Sequence, residues 1–198
     1  MEFLSLLEPE ELSILKEVYA TKRLKKGEYL LEQGKVCHHL HFVFRGLIRQ
    51  YHEKDGKSLT CCLSPENHWV IDYASFLQEQ PTCFYFEALE DTKVISIHRK
   101  DLLLLYERFP RFERAGRKIA EQLALRNTSI AISLASEKPE ERCRKFLNEN
   151  RELLQRVPLK YIASYLGITP ESLSRIRRRL TLGERADRAQ GRMRLQNG

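Results

Sequence analysis

Four arginines and one glutamate lie close together in "YLGITPESLSRIRRRL", residues 165–180 of the 198-residue chain. If the part from Pro170 onward is helical, Glu171, Arg175 and Arg178 share one face, because they are four and three residues apart. In the major groove of DNA, arginine donates hydrogen bonds to guanine and glutamate accepts one from cytosine. We therefore predict that DNA bases are contacted by Glu171, Ser172, Arg175 and Arg178.

Other polar side chains around this face are better suited to the phosphate backbone, where contacts position a protein without reading the sequence. The predicted phosphate contacts are Lys160, Thr169, Arg177 and Arg179. The competing interpretation is a solvated helical hairpin that binds no nucleic acid. Such a hairpin does not require the order of small and aliphatic residues found in this region.

That order of residues predicts two helices joined by a tight turn. Ala163 is small enough for two helices to approach closely, and Gly167 fits the turn between them. Thr169 suits the N-cap of the second helix, with Pro170 at its first position. The aliphatic residues that would pack the pair are Ile162, Leu166, Ile168, Leu173 and Ile176. The pattern is typical of a helix-turn-helix DNA-binding domain.

The positive charge of the chain is concentrated in the same region. The formal net charge is +7, from 34 Lys and Arg residues against 27 Asp and Glu residues. Residues 139–198 contain 14 basic and 7 acidic residues, so the 20 basic and 20 acidic residues before them cancel. A polyanion would therefore meet the last third of the chain. The simpler interpretation is that charged termini stay solvated.

Membrane and secreted classes of protein fit the sequence poorly. The chain has no run of about 18 apolar residues, and its N-terminal "MEFLSLLEPEEL" has acidic residues where a secretory signal has basic ones. The five cysteines are odd in number and form no C-x-x-C pair, so neither a disulfide framework nor a zinc finger fits. We predict a cytoplasmic protein with no membrane partner, no bound metal and no cofactor.

Upstream, short apolar runs separated by turn signals predict a series of β-strands between residues 22 and 98. Asp55 and Gly56 lie between two such runs, and the glycine supplies the positive φ that a hairpin turn requires. Several strands at this spacing predict an antiparallel β-roll or barrel. The expected fold class is α+β, with an N-terminal antiparallel β-roll, a long helix and a C-terminal helix-turn-helix domain.

A long amphipathic helix is predicted over residues 110–136, where apolar residues recur at spacings of three, four and seven. This stripe would pair with the same helix of a second subunit through Ile119, Leu123, Ile130 and Leu134. The alternative is that the stripe packs against the chain's own β-roll. Pro139 breaks the helix. We therefore predict a β-roll sensor domain at 1–109, a dimerisation helix and hinge at 110–138, and a DNA-binding domain with a basic tail at 139–198.

This order of domains, together with the motif "ASYLGITPESLSRIRRRL", resembles the Crp-Fnr family of bacterial transcription regulators, and within it the Bacteroidetes-type members. The resemblance implies a β-roll like that of cyclic-nucleotide-binding domains, a homodimer on a palindromic promoter site, RNA polymerase as a partner and a small-molecule effector. The family's recognition-helix glutamate, hydroxyl and second arginine fall on Glu171, Ser172 and Arg175. Its first arginine falls on Pro170, so the half-site should differ from that of the best-known members.

The resemblance also implies an effector pocket in the β-roll. The candidate pocket residues are Asp72, Ser75, Thr82, Cys83, Asn127 and Thr128. Relatives that bind cyclic nucleotides hold the phosphate with an Arg-Ser or Arg-Thr pair, and Thr82-Cys83 stands there in this chain. Without the arginine the phosphate would be buried beside Asp72 and Glu87, so we predict no tight binding of cyclic AMP. Asn127 and Thr128 have a second interpretation, as polar register residues in a dimer seam.

Two other functions remain open from the sequence. A cupin-like β-barrel metal enzyme would use His39 and His41, which share one face of a strand, although no third ligand follows them. A constitutive DNA-binding protein would use the β-roll only to hold the dimer. No nucleophile-base arrangement or phosphate-binding loop is visible, so we predict no enzymatic activity. The tail "TLGERADRAQGRMRLQNG" is predicted to be a frayed helix or a disordered basic segment.

Overall fold

The computed structural model describes residues 7–180 of the chain. It confirms the predicted α+β fold, in which the antiparallel strands of a jelly roll are followed by helices. The predicted basic tail, residues 181–198, lies outside the described residues. In chain order the elements are α1 (Pro9–Val18), β1 (Tyr19–Leu24), β2 (Tyr29–Leu31), β3 (His39–Arg45), β4 (Ile48–Lys54), β5 (Lys57–Ser64), β6 (Trp69–Val70), α2 (Tyr73–Gln78), β7 (Tyr85–Ala88), β8 (Thr92–His98), α3 (Arg99–Arg108), α4 (Pro110–Ser136), α5 (Pro139–Glu149), α6 (Leu153–Arg156), α7 (Leu159–Tyr165) and α8 (residues 170–180).

The strands within residues 7–180 form two four-stranded antiparallel sheets. The strand order is β1-β8-β3-β6 in the first sheet and β2-β7-β4-β5 in the second. The predicted hairpin is confirmed, because Lys54 of β4 pairs with Lys57 of β5 across a two-residue turn. Asp55 and Gly56 in that turn have φ angles of 52° and 71°, the left-handed backbone that a tight hairpin needs.

A compact apolar cluster fills the space between the two sheets. Its members come from both sheets and are 4% exposed or less: Leu24, Val43, Ile48, Val70, Phe86, Ala88 and Val94. Gly46 connects β3 to β4 with a φ of 98°, and a Cβ atom there would lie 2.7 Å from the Cα of Thr92. The position therefore requires glycine, because a side chain there is excluded by the backbone conformation and by the nearby backbone of Thr92.

A second apolar cluster joins the first sheet to helices α1, α3 and α4. Leu40, Phe42 and Ile97 of the sheet pack there with helical side chains that include Ile119 and Leu123 of α4. Ile119 and Leu123 are only 5% and 7% exposed. Both side chains thus pack within their own chain, which is the alternative that the amphipathic pattern left open for them.

The chain divides into two compact units between Ile130 and Ala131, a point inside α4. The predicted break at Pro139 coincides with the start of α5, eight residues later than this division. We call residues 131–180 the C-terminal unit. It has its own core, whose members are 5% exposed or less: Cys143, Phe146, Leu153, Val157, Ile162, Ala163, Leu166, Leu173 and Ile176. None of the helices within residues 7–180 is long and apolar enough to cross a membrane.

Candidate nucleic-acid interface

The turn between α7 and α8 has the glycine turn and the N-cap that the sequence predicts. Gly167 has a φ of 66°, and the amide of Ile168 donates to the carbonyl of Ala163 at 3.0 Å, which closes the end of α7. The Thr169 hydroxyl then accepts a hydrogen bond from the amide of Ser172 at 3.2 Å. This is the N-cap arrangement, and it sets where α8 begins.

The burial pattern of α8 separates a packing face from an exposed face. Leu173 and Ile176 are 0% and 4% exposed, and Ile162, Ala163 and Leu166 before the turn are 4% exposed or less. The opposite face of α8 consists of exposed polar residues: Glu171, Ser174, Arg175 and Arg178. Three of these are predicted base contacts. Ser174 was not among the predicted base contacts, although its position three residues after Glu171 places it on the same face.

Polar contacts at the start of α8 order part of this exposed face. The hydroxyls of Thr169 and Ser172 are 3.2 Å apart, and Nη2 of Arg175 donates to the Ser172 hydroxyl at 3.5 Å. The backbone amide of Glu171 and the Thr169 side chain hold the pKa of the Glu171 carboxyl below its usual value. Glu171 is therefore ionised at neutral pH and available as a hydrogen-bond acceptor.

The predicted phosphate contacts have different surroundings. Lys160 is exposed, and its Nζ lies 4.9 Å from the centre of the Tyr161 ring. Arg179 is exposed and lies 3.7 Å from a carboxylate oxygen of Glu140 on α5, a surface ion pair that contributes little stability and exchanges easily for a phosphate. Arg177 is only partly exposed. Lys160, Thr169 and Arg179 are thus the more accessible of the four.

In the β-roll, three of the candidate effector residues bond to one another. One oxygen of the buried Asp72 carboxylate accepts from the amides of Ala74 and Ser75 at 3.1 and 3.3 Å, and the other accepts from the Thr82 hydroxyl at 2.6 Å. The Ser75 hydroxyl donates to the carbonyl of Gln80 at 2.5 Å and accepts from the amide of Cys37 at 2.9 Å. We call this set of bonds around Asp72 the Asp72 network.

The Asp72 network already occupies the groups that would otherwise receive an anion. The amides at the start of α2 donate to the buried Asp72 carboxylate. A phosphate that used these amides would have to displace that carboxylate, and displacing it would leave a buried negative charge without its donors. The three other candidates, Cys83, Asn127 and Thr128, are exposed side chains. The structure therefore brings Asp72, Ser75 and Thr82 together, and both oxygens of the Asp72 carboxylate accept hydrogen bonds within this group.

The histidines that suggested a metal enzyme form a cluster of rings. The ring centres of His39 and His41 are 5.7 Å apart, and those of His39 and His98 are 4.9 Å apart. Nδ1 of His41 is hydrogen-bonded to the Ser96 hydroxyl at 2.7 Å, and burial lowers the pKa of His41 to about 3. Across residues 7–180, no set of three or more His, Cys, Asp or Glu side chains is arranged to hold a metal ion.

Comparisons with known proteins agree with this architecture. Residues 21–109, from β1 to the first residue after α3, match the family described as the cyclic nucleotide-binding domain. FixK2 from Bradyrhizobium japonicum has a similar structure, with a TM-score of 0.74, 19% sequence identity, and coverage of 84% of this chain and 86% of that one. The c-di-GMP-responsive global regulator CLP from Xanthomonas campestris superposes with a TM-score of 0.70, 16% identity and coverage of 89% and 93%.

A regulator from Eubacterium rectale assigned to the crp/fnr family also superposes, with a TM-score of 0.70, 16% identity, and coverage of 92% of this chain and 88% of that one. No curated protein shows significant sequence similarity to the chain. The N-terminal part is therefore a domain of the cyclic nucleotide-binding type. The order of a jelly roll followed by helices matches the fold of these solved regulator structures.

Proposed function

We propose that this protein is a sequence-specific DNA-binding transcription regulator of the Crp-Fnr type. The observation that carries the proposal is that α8 has two distinct faces. One face buries Leu173 and Ile176, and the opposite face exposes Glu171, Arg175 and Arg178. A helix held in this way by a preceding helix and turn can enter the major groove with its polar face towards the bases. The partners are double-stranded DNA and RNA polymerase in the cytoplasm, and the protein has no enzymatic activity.

The proposed regulator is a homodimer joined through α4. Leu125 and Ile132 are 72% and 58% exposed in the protomer and lie seven residues apart, hence on one face of this helix. Thr128 is three residues after Leu125 and four before Ile132, so it lies on the same face. We propose that it is the polar register residue of the seam, one of the two interpretations that the sequence left open. Ile130 and Leu134 flank this face. A two-fold dimer presents two copies of α8, so its binding site is palindromic.

Selection on random duplex DNA tests the proposed function. Purified protein without added effector is incubated with the duplex library, and the bound pool is sequenced. The expected result is a two-fold palindrome whose half-sites lie about one helical turn apart. If a motif is not enriched although salt-sensitive binding to bulk DNA persists, the reading face requires an effector. A protein that binds no DNA contradicts the function.

On the selected operator, Arg175→Ala and Lys160→Ala should have different effects. Arg175→Ala is expected to weaken binding by about 1–3 kcal/mol and to relax specificity at one base pair, because a base contact is lost. Lys160→Ala is expected to weaken binding to all sequences equally and to reduce the salt dependence, because a phosphate contact is lost. Titrations on single-base operator variants distinguish the two. An Arg175→Ala protein with the parent's base preferences would contradict the assignment.

The proposed effector is a small molecule other than cyclic AMP. The Asp72 network supports this, because Asp72 occupies the donors that a phosphate would need and the chain has Thr82 where binding members of the family have arginine. Isothermal titration calorimetry with cyclic AMP is expected to show no binding in the micromolar range. A micromolar dissociation constant would contradict the proposal.

A further inference from the structure

We propose that Arg142 of α5 is a positioning residue, which fixes the turn before α8 and so sets the pose of the base-reading face. The inference rests on the proposed DNA-binding function and adds how that site is held. Nothing in the sequence distinguished Arg142 from the other 33 lysine and arginine residues. In the structure it is a buried arginine, 8% exposed, in the C-terminal unit.

The Arg142 guanidinium joins two separate parts of the C-terminal unit. Its Nε donates to the carbonyl of Leu166 at 3.0 Å, and its Nη1 donates to the carbonyl of Glu137. Leu166 is the C-cap of α7, and Glu137 is the residue after the end of α4. One side chain on α5 thus connects the end of α4 to the turn before α8.

These contacts satisfy two carbonyls that the helices leave over. The last carbonyls of a helix have no partner within that helix, and leaving them buried without a donor is unfavourable. A planar guanidinium offers several donors in fixed directions, so it can serve two carbonyls at once, whereas a lysine ammonium is a single point. A neutral side chain of similar length serves neither.

The turn is also confined on its other sides. A Cβ atom added to Gly167 would lie 3.2 Å from Cδ2 of Leu134 and 3.8 Å from Nη2 of Arg142. The backbone of the turn therefore passes directly against the last turns of α4 and the guanidinium. Thr169, the N-cap of α8, follows Leu166 by three residues, so a shift of the Leu166 carbonyl displaces the start of α8 and with it Glu171 and Arg175.

The test compares Arg142→Met and Arg142→Lys with Arg144→Met in the full-length protein. Arg144 is exposed on the same helix, so its variant loses one positive charge without loss of the two carbonyl contacts. The probes are the duplex enriched in the selection and bulk DNA. Arg142→Met is expected to lower the ratio of operator to bulk affinity by about tenfold or more. Arg142→Lys should lower it less, and Arg144→Met should leave the ratio at the parent value.

Hydrogen exchange supplies the second measurement. In folded Arg142→Met protein, amides of residues 166–172 should exchange faster than in the parent, while those of α5 keep their protection. An unchanged affinity ratio in folded Arg142→Met protein would overturn the positioning role. If Arg142→Met does not fold, the same comparison with Arg142→Lys decides: a ratio equal to that of the parent overturns the proposal. A parent protein that binds neither the duplex library nor bulk DNA instead refutes the proposed function.

Discussion

The double variant Leu125→Glu/Ile132→Glu is expected to be a monomer that folds normally and binds the operator about 10²–10⁴-fold more weakly than the parent. Folding is preserved because both side chains are largely exposed in the protomer, at 72% and 58%. Dimerisation is lost because the seam would bring carboxylates from two copies together and remove them from water. Analytical ultracentrifugation and operator titration measure the two effects.

Leu77→Glu is the matched control for this variant. Leu77 is 62% exposed on α2, outside the proposed seam, so its glutamate variant should remain a dimer with the parent's operator affinity. A double variant of α4 that stays dimeric at micromolar concentration would contradict the seam. Weak operator binding by a variant that is still dimeric would show that α4 acts on DNA binding in another way.

Asp72→Ala is expected to lower the free energy of unfolding of the β-roll by about 2–4 kcal/mol. The substitution removes the N-cap of α2 and leaves the amides of Ala74 and Ser75 and the hydroxyl of Thr82 without their acceptor. Trp69 is the single tryptophan of the chain and lies in β6, so its fluorescence during urea titration reports on the β-roll.

Glu53→Ala and Thr82→Val complete this experiment. Glu53 is an exposed acid near the β4–β5 turn, so its variant should change stability by no more than about 0.5 kcal/mol. Thr82→Val removes one of the donors to Asp72, and its effect should not add to that of Asp72→Ala, because both act on the same network. An Asp72→Ala protein as stable as the Glu53→Ala protein would show that the network contributes nothing to the β-roll.

Local sequence signals predicted the β4–β5 hairpin turn and the start of α8. Asp55-Gly56 specifies a hairpin turn through its own backbone preferences, and Thr169-Pro170 specifies a helix start in the same way. The exposed face of α8 follows from helical spacing once Leu173 and Ile176 are identified as buried. These features depend on residues close in sequence, so they can be predicted without the rest of the fold.

Features that depend on distant contacts were not predictable in this way. The apolar period of α4 predicted a buried face but not what that face packs against. Ile119 and Leu123 pack in the core of their own chain. Arg142 gave no signal, because its role depends on carbonyls 5 and 24 residues away. Asp72 and Thr82 were predicted as pocket residues from the family resemblance. Only the structure shows that the Thr82 hydroxyl donates a hydrogen bond to the Asp72 carboxylate.

The Asp72 network has a consequence for signal specificity between related regulators. A carboxylate fixed by the chain itself is always present, whereas a diffusible phosphate ligand varies in concentration with metabolism. In the proposed regulator, this built-in acceptor would hold Ala74, Ser75 and Thr82 without any nucleotide. We therefore expect the proposed regulator to ignore cyclic AMP in a cell where other regulators of the same fold respond to it.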